Sequence, residues 1–241
     1  MKQFVLDTPQ QGADVVVDAI LSLLAEKPNA LLCLAAGHSS LPVFEGLLAA
    51  QRAGRADFTR ARFVGLDEWL GVTPACEGAC CNFLQRSLFT PLGITPAQLC
   101  LFDPLCTDPA AECARVEQYI SACGGIDFML LGMGMNGHLA LNEPGDSFEN
   151  GAHVAPLSDT TKSVAPKYFT ADMPPLTHGI TLGIRNLLAA HCIYLTIFGA
   201  HKKAVVQTLL HSERTEAFPA SVLLAAPQAN LVLDRAALPD A

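Results

Sequence analysis

The stretch Ala30–Arg52, ALLCLAAGHSSLPVFEGLLAAQR, decides how the rest of the chain is read. Its first six residues, Ala30–Ala35, are continuously apolar, as a strand covered by helices on both faces must be. The run breaks at Gly37-His38-Ser39-Ser40. Apolar residues then recur at helical spacing through Leu41–Arg52, with Ser39 or Ser40 placed as the N-cap and Pro42 in the first turn. A buried strand, a polar glycine-bearing loop and an amphipathic helix make one β-α unit.

Working outward, the same alternation continues. Ala13–Ala25 is apolar at helical spacing and stops before Pro28. Arg62–Leu66 (RFVGL) reads as a strand ending at Asp67-Glu68-Trp69. Asn82–Phe89 reads as a helix stopped near Pro91 and Gly93, and Pro109–Ala122 as another. Ile126–Leu131 (IDFMLL) is a strand feeding the segment Gly132–Gly145, GMGMNGHLALNEPG. His191–Phe198 is a strand meeting Gly199, His201–Leu210 a helix, and Asn230–Leu233 a last short strand. This alternation implies an α/β fold: a Rossmann-like, three-layer, open and mostly parallel sheet with helices on both faces, in one domain over residues 1–241. Ligands bind such sheets at the carboxyl ends of strands. That rule selects Ala36–Ser40, Asp67–Trp69, Gly132–Gly145 and Gly199–Lys203.

Composition bounds the function. Hydrophobic residues make up 51% of the 241 and charged residues 16%, enough for a sizeable core and against disorder. The longest apolar candidates, such as Asn186–Ala200, are interrupted by His191 and Gly199 and fall short of the roughly 18–20 residues of a membrane helix. MKQFVLDTPQ at the N-terminus has neither an apolar h-region nor a cleavage site, so a cytoplasmic location is expected. The net charge of −8 argues against nucleic acid as a partner but leaves room for a small anionic substrate. The nine cysteines are odd in number and mostly lie in apolar stretches, which fits reduced thiols. Cys76, Cys80 and Cys81 lack a second Cys or His pair at zinc-finger spacing, so no metal is expected.

Each selected segment has a chemical and a plainer reading. His138 and Glu143 are five residues apart and, on a loop, can converge as a His–carboxylate pair that moves protons near neutral pH; otherwise His138 serves a structural turn. Asp67 is a general base or the cap of the next turn. Gly37, His38, Ser39 and Ser40 form an anion site at a helix N-terminus or an ordinary N-cap. Lys202 pairs with a phosphate or is simply solvated. The glycines do not form a GxGxxG opening a helix, and no GxxxxGK[ST], G-x-S-x-G or HExxH occurs.

Taken together, the segments resemble the glucosamine-6-phosphate deaminase/isomerase family. The resemblance covers nearly the whole chain in one order: AAGHSS (Ala35–Ser40), LDEW (Leu66–Trp69), NGHLALNEPG within Gly132–Gly145, ITLGI (Ile180–Ile184) and GAHKK (Gly199–Lys203). LDEW and NGHLALNEPG look most like the galactosamine-6-phosphate deaminase/isomerase branch. The resemblance implies conversion of an amino-sugar 6-phosphate to a ketose phosphate and ammonia, with galactosamine 6-phosphate favoured over glucosamine 6-phosphate. His138 then matches the ring-opening acid/base, Glu143 the carboxylate that orients it, Asn136 a holding residue, and Asp67 the base for the C2 proton. Gly37, His38, Ser39, Ser40 and Lys202 match the phosphate site. Lys167 lies where many relatives carry Arg, and would lose its bidentate fork. Neither cofactor nor metal is implied. Both monomers and homo-oligomers occur in the family. AAGHSS departs from the usual T-G-x-T-P wording, and Trp69 stands where Tyr is common. The chain ends early relative to allosteric members, so no activation by an N-acetylamino-sugar phosphate is expected. Two alternatives compete: a 6-phosphogluconolactonase, whose segment after Gly-His reads toward S-L-F-P rather than NEPG, and a non-catalytic sugar-phosphate sensor.

Overall fold

Leu31 and Cys33 pack on one face of the second strand and Leu32 and Leu34 on the other, each fully or almost fully buried. Phe128–Leu131 divides in the same way, with Met129 and Leu131 on one face and Phe128 and Leu130 on the other. This two-sided burial is why both segments read as unbroken apolar runs. The computed structural model describes residues 1–169 and 173–239. In chain order its elements are β1 (Lys2–Leu6), α1 (Pro9–Glu26), β2 (Leu31–Leu34), α2 (Leu41–Arg52), β3 (Arg62–Val64), β4 (Asp67–Trp69), α3 (Cys80–Leu84), α4 (Thr90–Leu92), β5 (Leu99–Cys100) and α5 (Pro109–Ala122). They continue as β6 (Phe128–Leu131), β7 (His153–Pro156), α6 (Asp159–Val164), β8 (His178–Thr181), α7 (Ile184–Leu188), β9 (Ile193–Ile197), α8 (Lys203–His211) and β10 (Ala229–Asp234).

Seven strands form one sheet in the order β1-β10-β9-β6-β2-β3-β5, and every pairing in it is parallel. Helices α1 to α4 supply the apolar side chains on one face. Helices α5, α7 and α8 cover the other. The expected three-layer α/β architecture is therefore present. A second sheet, β4-β8-β7, is antiparallel; its Ile180, with the following Leu182, joins the second core. Among the described residues no helix is long and apolar enough to cross a membrane.

Several local expectations are corrected. The main-sheet strand ends at Val64, and Asp67–Trp69 belongs to the second sheet. Neither Ser39 nor Ser40 caps α2: a 3₁₀ turn, His38–Ser40, runs directly into the helix, so Ser40 is already in right-handed helical geometry and cannot cap it with its side chain. Helix α1 starts at Pro9 because Thr8 and Gln11 form a capping box. Pro91 lies inside α4, and Gly93, at φ 71°, ends it. A 3₁₀ turn, Ala200–Lys202, precedes α8. Strand β1 has mixed exposure and carried no apolar run to mark it.

Strands are added to one side of β2 as the chain runs through β3 and β5, and to the other from β6 onward. The order therefore reverses between β2 and β6, where the loops diverge and leave a crevice at the carboxyl edge. At the opposite edge, Asp127 ties the two strands together. It is buried and accepts from Leu31 N at 2.9 Å, Lys27 Nζ at 2.8 Å and His191 Nδ1 at 3.2 Å. Burial pushes its carboxyl up, but these three donors bring the balance below the ordinary value. Asp127→Asn is expected to lower unfolding free energy by about 1–3 kcal/mol at neutral pH, measured by urea denaturation. A group with a depressed folded pKa contributes fully above its unfolded value and loses that contribution as pH falls through the folded one. The difference between wild type and variant is therefore expected to shrink below about pH 4.

Candidate active site

The carboxyl ends of β2, β3, β6 and β9 open on a cavity of about 640 Å³. Its wall includes Gly37, His38 and Ser39 after β2, Asp67 after β3, Gly132 and His138 after β6, and Lys202 after β9. Lys167 and Tyr168, beyond α6, line it as well. Seven of the ten residues singled out from sequence thus line one cavity. The other three, Ser40, Asn136 and Glu143, do not line it. Ser40 is fully buried, its amide donates to Gly37 O, and its hydroxyl has no partner.

The loop after β6 is held by its own side chains. Asn142 donates to Leu139 O and Leu182 O, both at 2.9 Å, and Leu141 N donates to Thr181 Oγ1 at 3.3 Å. The ITLGI segment therefore serves as the anchor of the NGHLALNEPG loop. Within that loop Ala140 sits at φ 55°, a strained value for a residue with a side chain. Gly134 is required by close approach: a Cβ there would lie 2.2 Å from the His138 ring.

His138 is oriented by an amide interposed between it and the carboxylate. Its Nδ1 lies 2.7 Å from Asn136 Oδ1, and Asn136 Nδ2 donates to Glu143 Oε2 at 2.8 Å. The direct His138–Glu143 separation is 3.7 Å. The expected His138–Glu143 pair is thus not directly hydrogen-bonded; Asn136 bridges the two side chains. Because Asn136 gives its amide hydrogens to Glu143 and Ser158 Oγ, its oxygen must face the ring. The imidazole is then protonated at Nδ1, and Nε2 keeps its lone pair. Burial lowers the His138 pKa below its ordinary value; Glu143 opposes this, while Lys202 and Lys167 add to it. The ring is therefore neutral at pH 7.

Sequence reading missed the partners that complete this network. Ser158 N donates to Glu143 Oε1 at 3.2 Å, and Ser158 Oγ caps α6 by accepting from Thr161 N. Thr161 Oγ1 lies 3.3 Å from His138 Nδ1. The Ser158-x-x-Thr161 spacing is a helix-start signal, but nothing in it points to a histidine twenty residues earlier. Tyr168 stacks on His38 with centroids 5.4 Å apart and was equally unmarked.

Asp67 lines the same cavity. Burial and then the neighbouring Glu68 push its carboxyl up to about 7, against a hydrogen bond from Cys80 that pulls it down. Glu68 itself is structural: it accepts from Trp69 N, Cys80 N and Cys81 N at 2.7–2.9 Å. Lys202 donates to Met133 O at 2.6 Å, and burial followed by Lys167 brings its ammonium down to about 8. Among the described residues no group of three or more His, Cys, Asp or Glu side chains is arranged to hold a metal ion. A neutral imidazole, a carboxylate poised near neutrality and a cationic pocket bounded by a glycine loop make an arrangement suited to moving protons on an anionic substrate.

Comparison with known proteins agrees with this geometry. Residues 7–233 match the family model described as glucosamine-6-phosphate isomerases/6-phosphogluconolactonase. The glucosamine-6-phosphate deaminase of Lysinibacillus sphaericus is 34% identical over 96% of this chain and 98% of its own length. That of Pseudarthrobacter chlorophenolicus is 36% identical over 98% and 91%. The solved structure of a monomeric glucosamine-6-phosphate deaminase of the NagB superfamily superimposes with a TM-score of 0.94 at 29% identity, covering 98% of both chains. The 6-phosphogluconolactonase of Trypanosoma brucei, at 20% identity and a TM-score of 0.76, shares the fold. The chain belongs to the glucosamine-6-phosphate isomerase/6-phosphogluconolactonase family.

Proposed function

We propose that this protein, as one domain over residues 1–241 acting in the cytoplasm, is an isomerising deaminase that converts an amino-sugar 6-phosphate and water to a ketose 6-phosphate and ammonia. The observation that carries the reading is the convergence of Asp67, His138, Lys202 and the Gly37–Ser39 loop on one cavity. The NEPG-bearing loop and the relatives named as deaminases support it over a lactonase reading.

In the proposed sequence, His138 Nε2 accepts the proton of the O1 hydroxyl and delivers one to the ring oxygen, opening the pyranose. Its Nδ1–H stays on Asn136 throughout, and Glu143 behind that amide favours the transient imidazolium. Asp67 takes the C2 proton and returns it to C1. Water adds at C2 of the resulting imine, ammonia departs, and the ketone forms. The phosphate sits against Gly37 and Ser39 and on Lys202, with His38 and Lys167 lining the same cavity. A bound dianion would draw Lys202 from the Met133 carbonyl and restore its full charge.

Galactosamine 6-phosphate is the proposed substrate on the wording of LDEW and NGHLALNEPG, and the names of the relatives make glucosamine 6-phosphate its direct competitor. The two differ at C4 only, a contact worth about 1–3 kcal/mol, or roughly ten- to two-hundred-fold in kcat/KM. Ammonia release from both epimers by the purified protein tests the reading and ranks the substrates; release from neither overturns it. In the same assay Asp67→Asn is expected to lose about two to four decades in kcat with substrate binding retained. His138→Gln is expected to slow turnover of the ring form by at least about a hundredfold. An Asp67→Asn enzyme with near wild-type turnover would remove Asp67 from the chemistry.

The pH profile has a definite sign. Asp67 must be ionised, and its value of about 7 in the free protein makes kcat/KM fall as the pH drops below neutrality. Lys202 must be protonated, and its value of about 8 makes kcat/KM fall at higher pH. The expected profile is a narrow bell between these limits, read from initial rates at limiting substrate. A flat profile down to about pH 5 would contradict the assignment of Asp67.

A further inference from the structure

His38 opens the 3₁₀ turn after β2, and Lys167 lies in a second 3₁₀ turn, Ala165–Tyr168, after α6. Both side chains are exposed, and both line the cavity. The ring of Tyr168 meets both. It stacks on His38 with the planes 12° apart and the centroids separated by 5.4 Å, an offset arrangement. The Lys167 ammonium lies over the same Tyr168 ring, 4.9 Å from its centroid. His38 is itself backed by aromatic packing. Phe83 of α3 meets it in a T-shaped contact, with centroids 6.2 Å apart, and Phe83 tilts in turn against the buried Phe44 of α2. Beyond Tyr168, the Phe169 ring lies so close to Gly78 that a Cβ there would be 2.5 Å from it. Ring contacts thus join the loop after β2 to the segment that carries Lys167.

We propose that His38 is a positioning residue for Lys167: its ring holds Tyr168 by stacking, and Tyr168 holds the Lys167 ammonium at the cavity as a second cation for the phosphate of the substrate. The role rests on the reading of this cavity as a sugar-phosphate site. It belongs to the plane of the His38 ring and not to its nitrogens, whereas the sequence grouped His38 with Gly37, Ser39 and Ser40 as part of the anion site. Burial and then Lys167 lower the His38 pKa below its ordinary value, so the ring is neutral at pH 7 and stacks without adding charge. The charge of Lys167 is also felt at His138 and Lys202. A lysine on a flexible four-carbon stem loses rotamer freedom when it grips an anion. A ring that already holds the ammonium reduces that loss at the moment of binding.

The test uses the full-length protein and four variants. His38→Phe keeps a ring, His38→Ala removes it, Lys167→Ala removes the cation, and the fourth combines His38→Ala with Lys167→Ala. The dissociation constant for inorganic phosphate is read by titration calorimetry at fixed ionic strength, and KM and kcat are read from ammonia release. His38→Ala is expected to weaken phosphate binding about two- to tenfold and to raise KM by a similar factor, with kcat falling less. Lys167→Ala is expected to weaken binding by about tenfold or more, and the double variant to match it within about twofold. His38→Phe is expected to stay within about twofold of wild type, which a donor role for the imidazole would not allow. The placement is read directly in protein carrying ¹³C-labelled lysine, with Lys167→Ala identifying the resonance. A methylene held over an aromatic face resonates upfield; this shift is expected to persist in His38→Phe and to collapse in His38→Ala. An upfield position kept in His38→Ala, a His38→Phe that binds as weakly as His38→Ala, or a double variant that loses the product of the two single effects would overturn the proposal, as would wild-type protein that binds no phosphate. If wild-type protein binds phosphate and releases no ammonia, the deaminase reading fails, and the binding and NMR results still decide whether His38 positions Lys167.

Discussion

The bond between His138 Nδ1 and Asn136 Oδ1, at 2.7 Å, is the contact on which the rest of the site depends. It fixes the imidazole tautomer, and so which ring nitrogen is offered to the cavity. It works only because Asn136 has no freedom to turn, its amide hydrogens being given to Glu143 and Ser158. Glu143 is held in turn by Ser158 N, and its own amide is held by Asp146. The network spans the loop after β6 and the start of α6, two segments joined by no regular pairing. Burial, aided by the two lysines, lowers the proton affinity of the ring against the opposing pull of Glu143, 3.7 Å away.

The same economy governs the pair Asp67 and Glu68. Asp67 and Glu68 are adjacent acids with different surroundings. Glu68 is buried among three backbone donors and shapes the chain, whereas Asp67 reaches the cavity with its affinity for a proton raised. Two adjacent carboxylates are thus set apart by their environments, the pattern that pairs of acids with divided roles show. The second sheet makes this division: by leaving the main sheet at Val64 and pairing β4 with β8, the chain places Asp67 at the junction between the two.

The fold was legible because its strands are buried on both faces. The apolar runs at Ala30–Ala35 and Ile126–Leu131 can belong to little else, and the rule that ligands gather at strand carboxyl ends then picked out four of the segments that line the cavity, but not the stretches around Gly78 and Thr160–Tyr168 that line it as well. Edge strand β1 and the short strands of the second sheet were hidden because half-exposed three- to five-residue segments carry too few apolar positions to show a period. Within the site, single residues were legible where a segment has an unusual wording, as at Gly132–Gly145. Relations between residues were not. That Asn136 lies between His138 and Glu143, that Ser158 and Thr161 join them, and that Ser40 turns its hydroxyl inward are consequences of backbone path, which spacing in sequence does not encode.

The claim at the centre of this account is a proton moved from C2 to C1 of an amino-sugar phosphate. It is tested most directly by incubating the purified protein with each C4 epimer of the amino-sugar 6-phosphate in D₂O and following both carbons by ¹H NMR. The account predicts loss of the C2 methine signal, appearance of the C1 methylene of a ketose 6-phosphate carrying deuterium from exchange at Asp67, and stoichiometric ammonia. An unchanged amino-sugar spectrum with both epimers would contradict it.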